Sequence, residues 1–250
     1  MDLDKKDNGI FCIAPWMHMH VEPDGDVQLC CASNLKHEHQ QSLGNLNQQS
    51  PEEIWNNKEY RMVRRSMLEG KPLPKHCSQC YVREQGNINQ TERQRFNNEF
   101  SDTFDLVKTT QDDGTLDTLE LKYIDIRFNN LCNLKCRMCG PDWSTSWANE
   151  LGIDKPLLYN DTWSKLLPYL DELEKEYFAG GEPLMTPEHY DFLERLVSIN
   201  TDIELLYTSN FSRLHLGNRH VLDYWPKFTK VSAIASVDHY GEYAKYVRTG

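Results

Sequence analysis

Three cysteines lie within one short run, Cys132-Asn-Leu-Lys-Cys136-Arg-Met-Cys139, directly after an apolar stretch from Leu119 to Phe128. Thiolates this close can wrap one small inorganic centre from a single loop. A 4Fe-4S cluster takes four thiolate ligands, and this run offers three. One iron would then stay open for a substrate or cofactor, as a catalytic metal site keeps a free position. Structural zinc is the competing reading, because closely spaced cysteines also hold that ion.

The remaining five of the eight cysteines all precede residue 81, and none follows Gly140. Disulfides are rare where thiols are kept reduced, so this clustering points to two metal sites. Cys12 and Cys30 or Cys31 flank an expected β-hairpin. Its turn, Glu22-Pro-Asp-Gly25, has Pro to preset one dihedral and Gly to take the left-handed one. Cys77-Ser-Gln-Cys80 follows a helix, and the set amounts to four ligands. Adjacent strand residues point to opposite faces. That alternation, with the spacing from Gly25, favours Cys30 over Cys31, which is left as a small buried hydrophobe. A closed tetrathiolate is also the usual structural zinc site. His18, His20, His37 and His39 are weak ligand candidates beside four cysteines, and His76 could tune the site from behind Cys77.

These ligand sets need elements to position them. Residues 16–21 alternate as a strand would. Ser50-Pro-Glu-Glu53 opens a helix with a capping box and runs to Gly70, burying Ile54, Trp55, Met62, Val63 and Met67. Arg61, Arg64 and Arg65 fall on its solvated face. Residues 86–117 are polar and read as an exposed helix followed by a linker. Beyond them strands (Leu119 to Phe128, Lys175 to Phe178, Ile203 to Thr208, Val231 to Val237) alternate with helices, including Thr162 to Leu173. This is the pattern of a parallel sheet with right-handed crossovers. Ligands in such sheets gather at the carboxyl ends of strands, and there the cysteine run and Tyr177-Phe-Ala-Gly180-Gly181-Glu182-Pro183 both fall.

The two motifs together resemble the radical S-adenosylmethionine (radical SAM) superfamily. The resemblance implies that Cys132, Cys136 and Cys139 bind a 4Fe-4S cluster whose open iron chelates S-adenosylmethionine. It places Met138 near the adenine, lets Gly180 and Gly181 bring backbone close to the cofactor, and uses Glu182 and Pro183 to orient the methionine amino group. Ser209, Asn210, Ser236, Asp238 and Arg248 resemble positions that contact the ribose and the methionine carboxylate. The N-terminal segment resembles the twitch and SPASM modules, on Gly25 before Cys30, Leu43-Gly44-Asn45-Leu46, Ile54-Trp55 and Cys77-x2-Cys80. This implies a second, auxiliary 4Fe-4S cluster on Cys12, Cys30, Cys77 and Cys80.

The expected fold class is therefore α/β. A partial (β/α)6 TIM-like barrel occupies 118–250, and a small α+β cluster domain with a β-hairpin occupies 1–85. Residues 86–117 join the two. The family core has about six strand–helix units against about four here, so the chain is expected to be a truncated gene, a fragment or one half of a complex. The implied partners are a reductant such as flavodoxin or ferredoxin and a peptide, protein or small-molecule substrate. A net charge of -11 argues against a nucleic-acid surface. The lack of a long apolar run or signal peptide argues against a membrane partner and for a cytoplasmic protein.

Overall fold

The computed structural model describes residues 9–33, 42–88, 90–154 and 161–250, so His37 and His39 lie outside the described residues. The chain divides into two compact units, Met1–His20 with Asp26–Lys122, and Val21–Gly25 with Tyr123–Gly250. Among the described residues no helix is long and apolar enough to cross a membrane.

The described chain begins with α1 (Ala14–Met17) and β1 (His18–Val21), whose last residue is counted in the second unit, then β2 (Asp26–Gln28) and β3 (Gly44–Asn45) of the first. The alternation expected over 16–21 is absent. A short helix replaces its first half, and every residue from Phe11 to Pro23 is buried. A strand covered on both faces reads as a continuous buried run instead of an alternating one. The chain reverses at Glu22–Gly25, where the Gly25 N–H donates to the Glu22 carbonyl at 2.9 Å and Gly25 adopts φ 84°. β2 pairs antiparallel with β3, and Asn45 Nδ2 donates to Asp26 Oδ1 at 2.7 Å.

Two helices, α2 (Pro51–Trp55) and α3 (Lys58–Leu68), stand where one was expected. The Ser50–Glu53 capping box starts the first. Asn57 breaks the run, because its side chain accepts from the Tyr60 N–H and caps a new helix. Met62 is only half-buried. Arg64 is not on a solvated face. It is fully buried, donates from Nε to the Pro15 carbonyl at 2.9 Å, and lies 4.7 Å from the Trp55 ring centroid. Carbonyl acceptors and an aromatic face accommodate the cation there.

α4 (Pro74–Gln85) carries Cys77 and Cys80 one turn apart, so both sulfurs share a face. The segment read as exposed helix and linker packs instead, as α5 (Glu92–Glu99), a 3-10 turn over Ser101–Phe104 and α6 (Asp105–Lys108). Its composition is polar, yet Arg93, Phe96, Phe100, Phe104 and Val107 are buried. A few large side chains on one face outweigh the polar average.

The second unit contains β4 (Tyr123–Ile126), β5 (Lys135–Cys136), α7 (Thr145–Leu151), β6 (Lys175–Phe178), α8 (Pro187–Ile199), β7 (Glu204–Ser209), the small pair β8 (His215–Leu216) and β9 (Arg219–His220), β10 (Lys230–Ala235), α9 (Gly241–Val247) and β11 (Arg248–Thr249). β4, β6, β7 and β10 run parallel side by side, with Tyr123 opposite Lys175, Lys175 opposite Glu204, and Glu204 opposite Lys230. The expected helix over 162–173 is a 3-10 segment, Asp161–Tyr169, with Pro168 inside it. Proline removes an amide donor and clashes with the preceding turn of an α-helix.

β6 and β7 alternate as half-buried strands. Glu176, Phe178, Leu205, Tyr207 and Ser209 point inward, and α8 adds His189, Phe192, Leu193 and Leu196. His189 Nε2 lies 2.9 Å from the Tyr207 hydroxyl, and burial pulls the imidazole down to about 3, so it is neutral at physiological pH.

Candidate functional site

The Cys132–Cys139 run leaves the carboxyl end of β4 and is held by the start of α7. Ser144 caps α7 by accepting from the Trp147 N–H, and its hydroxyl donates to the Leu134 carbonyl at 2.7 Å. Ser146 donates to the Cys132 carbonyl at 2.8 Å, and Trp147 Nε1 donates to the Cys136 carbonyl at 2.9 Å. Three carbonyls of the loop are thus fixed from one short helix. Burial pushes the Cys132 thiol up to about 11, with Glu182, Cys136 and Cys139 adding to the rise and the Leu134 N–H opposing it. Cys136 and Cys139 lie near enough to Cys132 to act on it electrostatically, and a ligand thiol gives up its proton when it binds metal.

The Gly180-Gly181-Glu182-Pro183 loop packs against the backbone that leads into Cys132. A Cβ at Gly181 would lie 2.3 Å from the Leu131 carbonyl oxygen, so only glycine fits. The Glu182 N–H donates to that same oxygen at 2.6 Å. The Glu182 carboxylate is 1% exposed. Its Oε1 accepts from Ser209 Oγ at 2.6 Å and from the Leu184 N–H at 3.2 Å, and its Oε2 accepts from the Asn210 N–H at 2.7 Å. Burial raises its pKa, and these donors pull it back. The partners seen for the Gly-Gly-Glu-Pro element are thus other parts of the chain: it locks the cysteine run to the end of β7. Pro183 is buried in a 3-10 turn.

The remaining expected contacts spread around the same place. Asn210 Nδ2 approaches Cys132 Sγ at 3.9 Å and donates to Asn133 Oδ1 at 3.1 Å. β11 pairs antiparallel with β5, setting Arg248 opposite Cys136. Arg248 Nη1 lies 3.4 Å from Cys136 Sγ, while Nε donates to Asp238 Oδ2 at 2.5 Å. Ser236 is represented there by its backbone, whose N–H donates to the Ser209 carbonyl at 2.8 Å. Met138 is 61% exposed and packs against little.

In the first unit, Cys12, Cys30, Cys77 and Cys80 line one cavity together with His76 and Arg93. Burial raises all four thiols, Cys77 to about 12, and each of Cys12, Cys30 and Cys77 is raised further by at least one of the others. Cys31 does not line the cavity. Strand alternation does not separate the two, because β2 ends at Gln28 and both cysteines lie in the turn after it. That turn is closed by the Ser33 N–H donating to the Cys30 carbonyl at 2.9 Å, and the Cys30 N–H donates to Ser33 Oγ at 3.1 Å. His76 is buried at the cavity wall, where desolvation lowers its pKa. His18 packs 4.9 Å from the Phe96 ring and is not among the cavity residues, nor is His20.

Both sets offer soft sulfur donors of the kind that iron–sulfur chemistry uses, and the four in the first unit share one cavity. Among the described residues no three His, Cys, Asp or Glu side chains are drawn together tightly enough for one metal ion.

Residues 12–81 match the SPASM family model, described as an iron-sulfur cluster-binding domain. That match takes in less than a third of this chain. Its similar relatives include the GTP 3',8-cyclase of Aliarcobacter butzleri (strain RM4018), 27% identical over 92 residues, or 36% of this chain and 28% of the cyclase. The cyclase of Campylobacter lari (strain RM2100 / D67 / ATCC BAA-1060) is 27% identical over 95 residues, covering 38% and 29%. That of Nautilia profundicola (strain ATCC BAA-1463 / DSM 18972 / AmH) is 28% identical over 92 residues, covering 36% and 28%. The matches thus span less than a third of each cyclase. No solved structure matches the chain significantly. Within the segment that matches the SPASM model, the structure gathers Cys12, Cys30, Cys77 and Cys80 on one cavity.

Sequence reasoning missed three contributors: Arg93 and Asn97 of α5, and the Ser144–Trp147 turn. Ser144 before a helix is a readable cap. Arg93 and Asn97 carry no local signal, since only tertiary packing brings them to Cys12.

Proposed function

We propose that the chain uses Cys132, Cys136 and Cys139 to hold a 4Fe-4S cluster with one iron left for S-adenosylmethionine, and acts on a peptide or protein side chain. A second 4Fe-4S cluster, closed by Cys12, Cys30, Cys77 and Cys80, assists electron transfer. The observation that carries the reading is the convergence of three thiols on one loop with Asn210 and Arg248 directed at their sulfurs. When bound, the cluster and S-adenosylmethionine supply an electron and a sulfonium carbon–sulfur bond whose cleavage yields a 5'-deoxyadenosyl radical able to remove a substrate hydrogen.

The chain's own residues position this chemistry. Ser144, Ser146 and Trp147 fix the loop carbonyls, and the Glu182 carboxylate holds the end of β7 beside it. Arg248 places a guanidinium next to Cys136, where it balances thiolate charge or meets a cofactor carboxylate. Met138 offers an exposed apolar side chain to an adenine. Ser209, Ser236 and Asp238 stand around the same strand ends as positions for the ribose and the methionine carboxylate.

A second reading takes a small polar metabolite, a sugar or nucleotide sugar, as substrate. The similarity to proteins named GTP 3',8-cyclase favours it. The test is anaerobic reduction with S-adenosylmethionine, with 5'-deoxyadenosine measured alone, with peptides and with nucleotide or sugar substrates. Product formation lost in Cys132→Ala supports the chemistry, and the class of substrate that accelerates it selects between the readings. Equal 5'-deoxyadenosine yield from Cys132→Ala would contradict both.

A further inference from the structure

The cavity of the four N-terminal cysteines is walled on one side by α5, which lies outside the 12–81 segment matched to the SPASM domain. α5 grips the backbone around Cys12. Asn97 Oδ1 accepts from the Ile13 N–H at 2.9 Å, its Nδ2 donates to the Phe11 carbonyl at 2.9 Å, and Arg93 Nη1 donates to that same carbonyl at 3.1 Å. Thr91 caps the helix by accepting from the Gln94 N–H, which leaves the Arg93 amide of the same first turn to an outside acceptor. The Arg93 amide is directed at the Cys80 sulfur. The Arg93 side chain is 4% exposed and lines the cavity. Its guanidinium is paired with Glu84, Nη2 to Oε2 at 2.5 Å, and Glu84 does not line the cavity.

A cluster with four thiolates gains one negative charge on one-electron reduction. A nearby buried cation, and amide donors on the sulfurs, stabilise the more negative form, because charge interactions are strong where water is excluded. We infer that Arg93 sets the reduction potential of the cluster held by Cys12, Cys30, Cys77 and Cys80, with Glu84 offsetting part of its charge. This rests on the proposal that the cavity holds 4Fe-4S. The electron comes from a one-electron reductant of the flavodoxin or ferredoxin class and is replaced in the test by dithionite.

The test uses the full chain with Cys132, Cys136 and Cys139 changed to Ala, so that this cluster alone gives a signal, in a redox titration followed by electron paramagnetic resonance. Arg93→Met should lower the midpoint by about tenfold in the reduction equilibrium, roughly 59 mV for one electron. Glu84→Gln should raise it, Arg93→Lys should stay near the parent, and the double variant Arg93→Met/Glu84→Gln should return toward the parent. Opposite signs are what a merely structural role cannot give. Midpoints that stay fixed, or that move together in the two single variants while the cluster is intact, would overturn the inference. A parent chain that carries zinc and no iron–sulfur signal would instead overturn the reading on which it rests.

Discussion

The Glu182 carboxylate accepts the Asn210 backbone N–H at 2.7 Å, and Asn210 in turn reaches the Cys132 sulfur with its side chain. One buried carboxylate therefore ties the Gly-Gly-Glu-Pro loop, the end of β7 and the cysteine run together. Glu182→Gln replaces one accepting oxygen by a donor facing donors. Stability should fall by about 1–3 kcal/mol, the cost of a buried polar group left unsatisfied. Ser209→Ala should cost about 1 kcal/mol, and the pair should be non-additive because they share the bond. Denaturant melts of the four proteins check this; additive losses would contradict the network.

Gly181→Ala should be worse than its size suggests. The added methyl meets the Leu131 carbonyl at 2.3 Å, and a backbone atom cannot rotate away. A loss of about 1–3 kcal/mol or more is expected from overpacking, with less iron retained at the Cys132 site, measured by melting and metal content together.

Glu176 gives the fold a pH dependence. It is fully buried, and neither carboxyl oxygen has a hydrogen-bond partner among the described residues. Burial and the neighbouring Asp125 push its pKa well above the usual range, and Arg127 opposes them. An acid whose folded pKa is raised contributes stability that is present below its unfolded pKa, about 4.3, and lost as pH rises through the folded value. Glu176→Gln cannot ionise. Its melting temperature relative to the parent should therefore rise steadily from pH 4 to 8, and a constant difference would contradict the assignment.

Cys30→Ser and Cys31→Ser separate neighbours that differ by one position. Cys30 lines the cavity with Cys12, Cys77 and Cys80, and Cys31 does not. Cys30→Ser should lose the iron of that site, about half of the total, and Cys31→Ser should keep it. Iron and sulfide per chain after anaerobic reconstitution decide the matter.

Much of this was readable beforehand, for identifiable reasons. Local rules carry the capping box at Ser50 and the turn at Gly25, because a cap or turn is made by the residues that encode it. Cysteine spacing grouped Cys12, Cys30, Cys77 and Cys80, which the structure gathers on one cavity. Tertiary effects defeated the rest. A strand covered on both faces hid the β1 alternation, a stacked guanidinium turned Arg64 inward, and a polar helix with one buried face was read as exposed. Glu182 shows a subtler limit. A motif can point to a place near a cofactor while the carboxylate's partners are amides and a hydroxyl of its own chain.

The most direct test is the count of iron, sulfide and zinc per chain after anaerobic reconstitution, with electron paramagnetic resonance of the reduced protein before and after S-adenosylmethionine is added. The account predicts about eight irons and two signals, one of them altered by S-adenosylmethionine, as two four-iron clusters with a single open iron require. Zinc alone, with no paramagnetic signal on reduction, would contradict it.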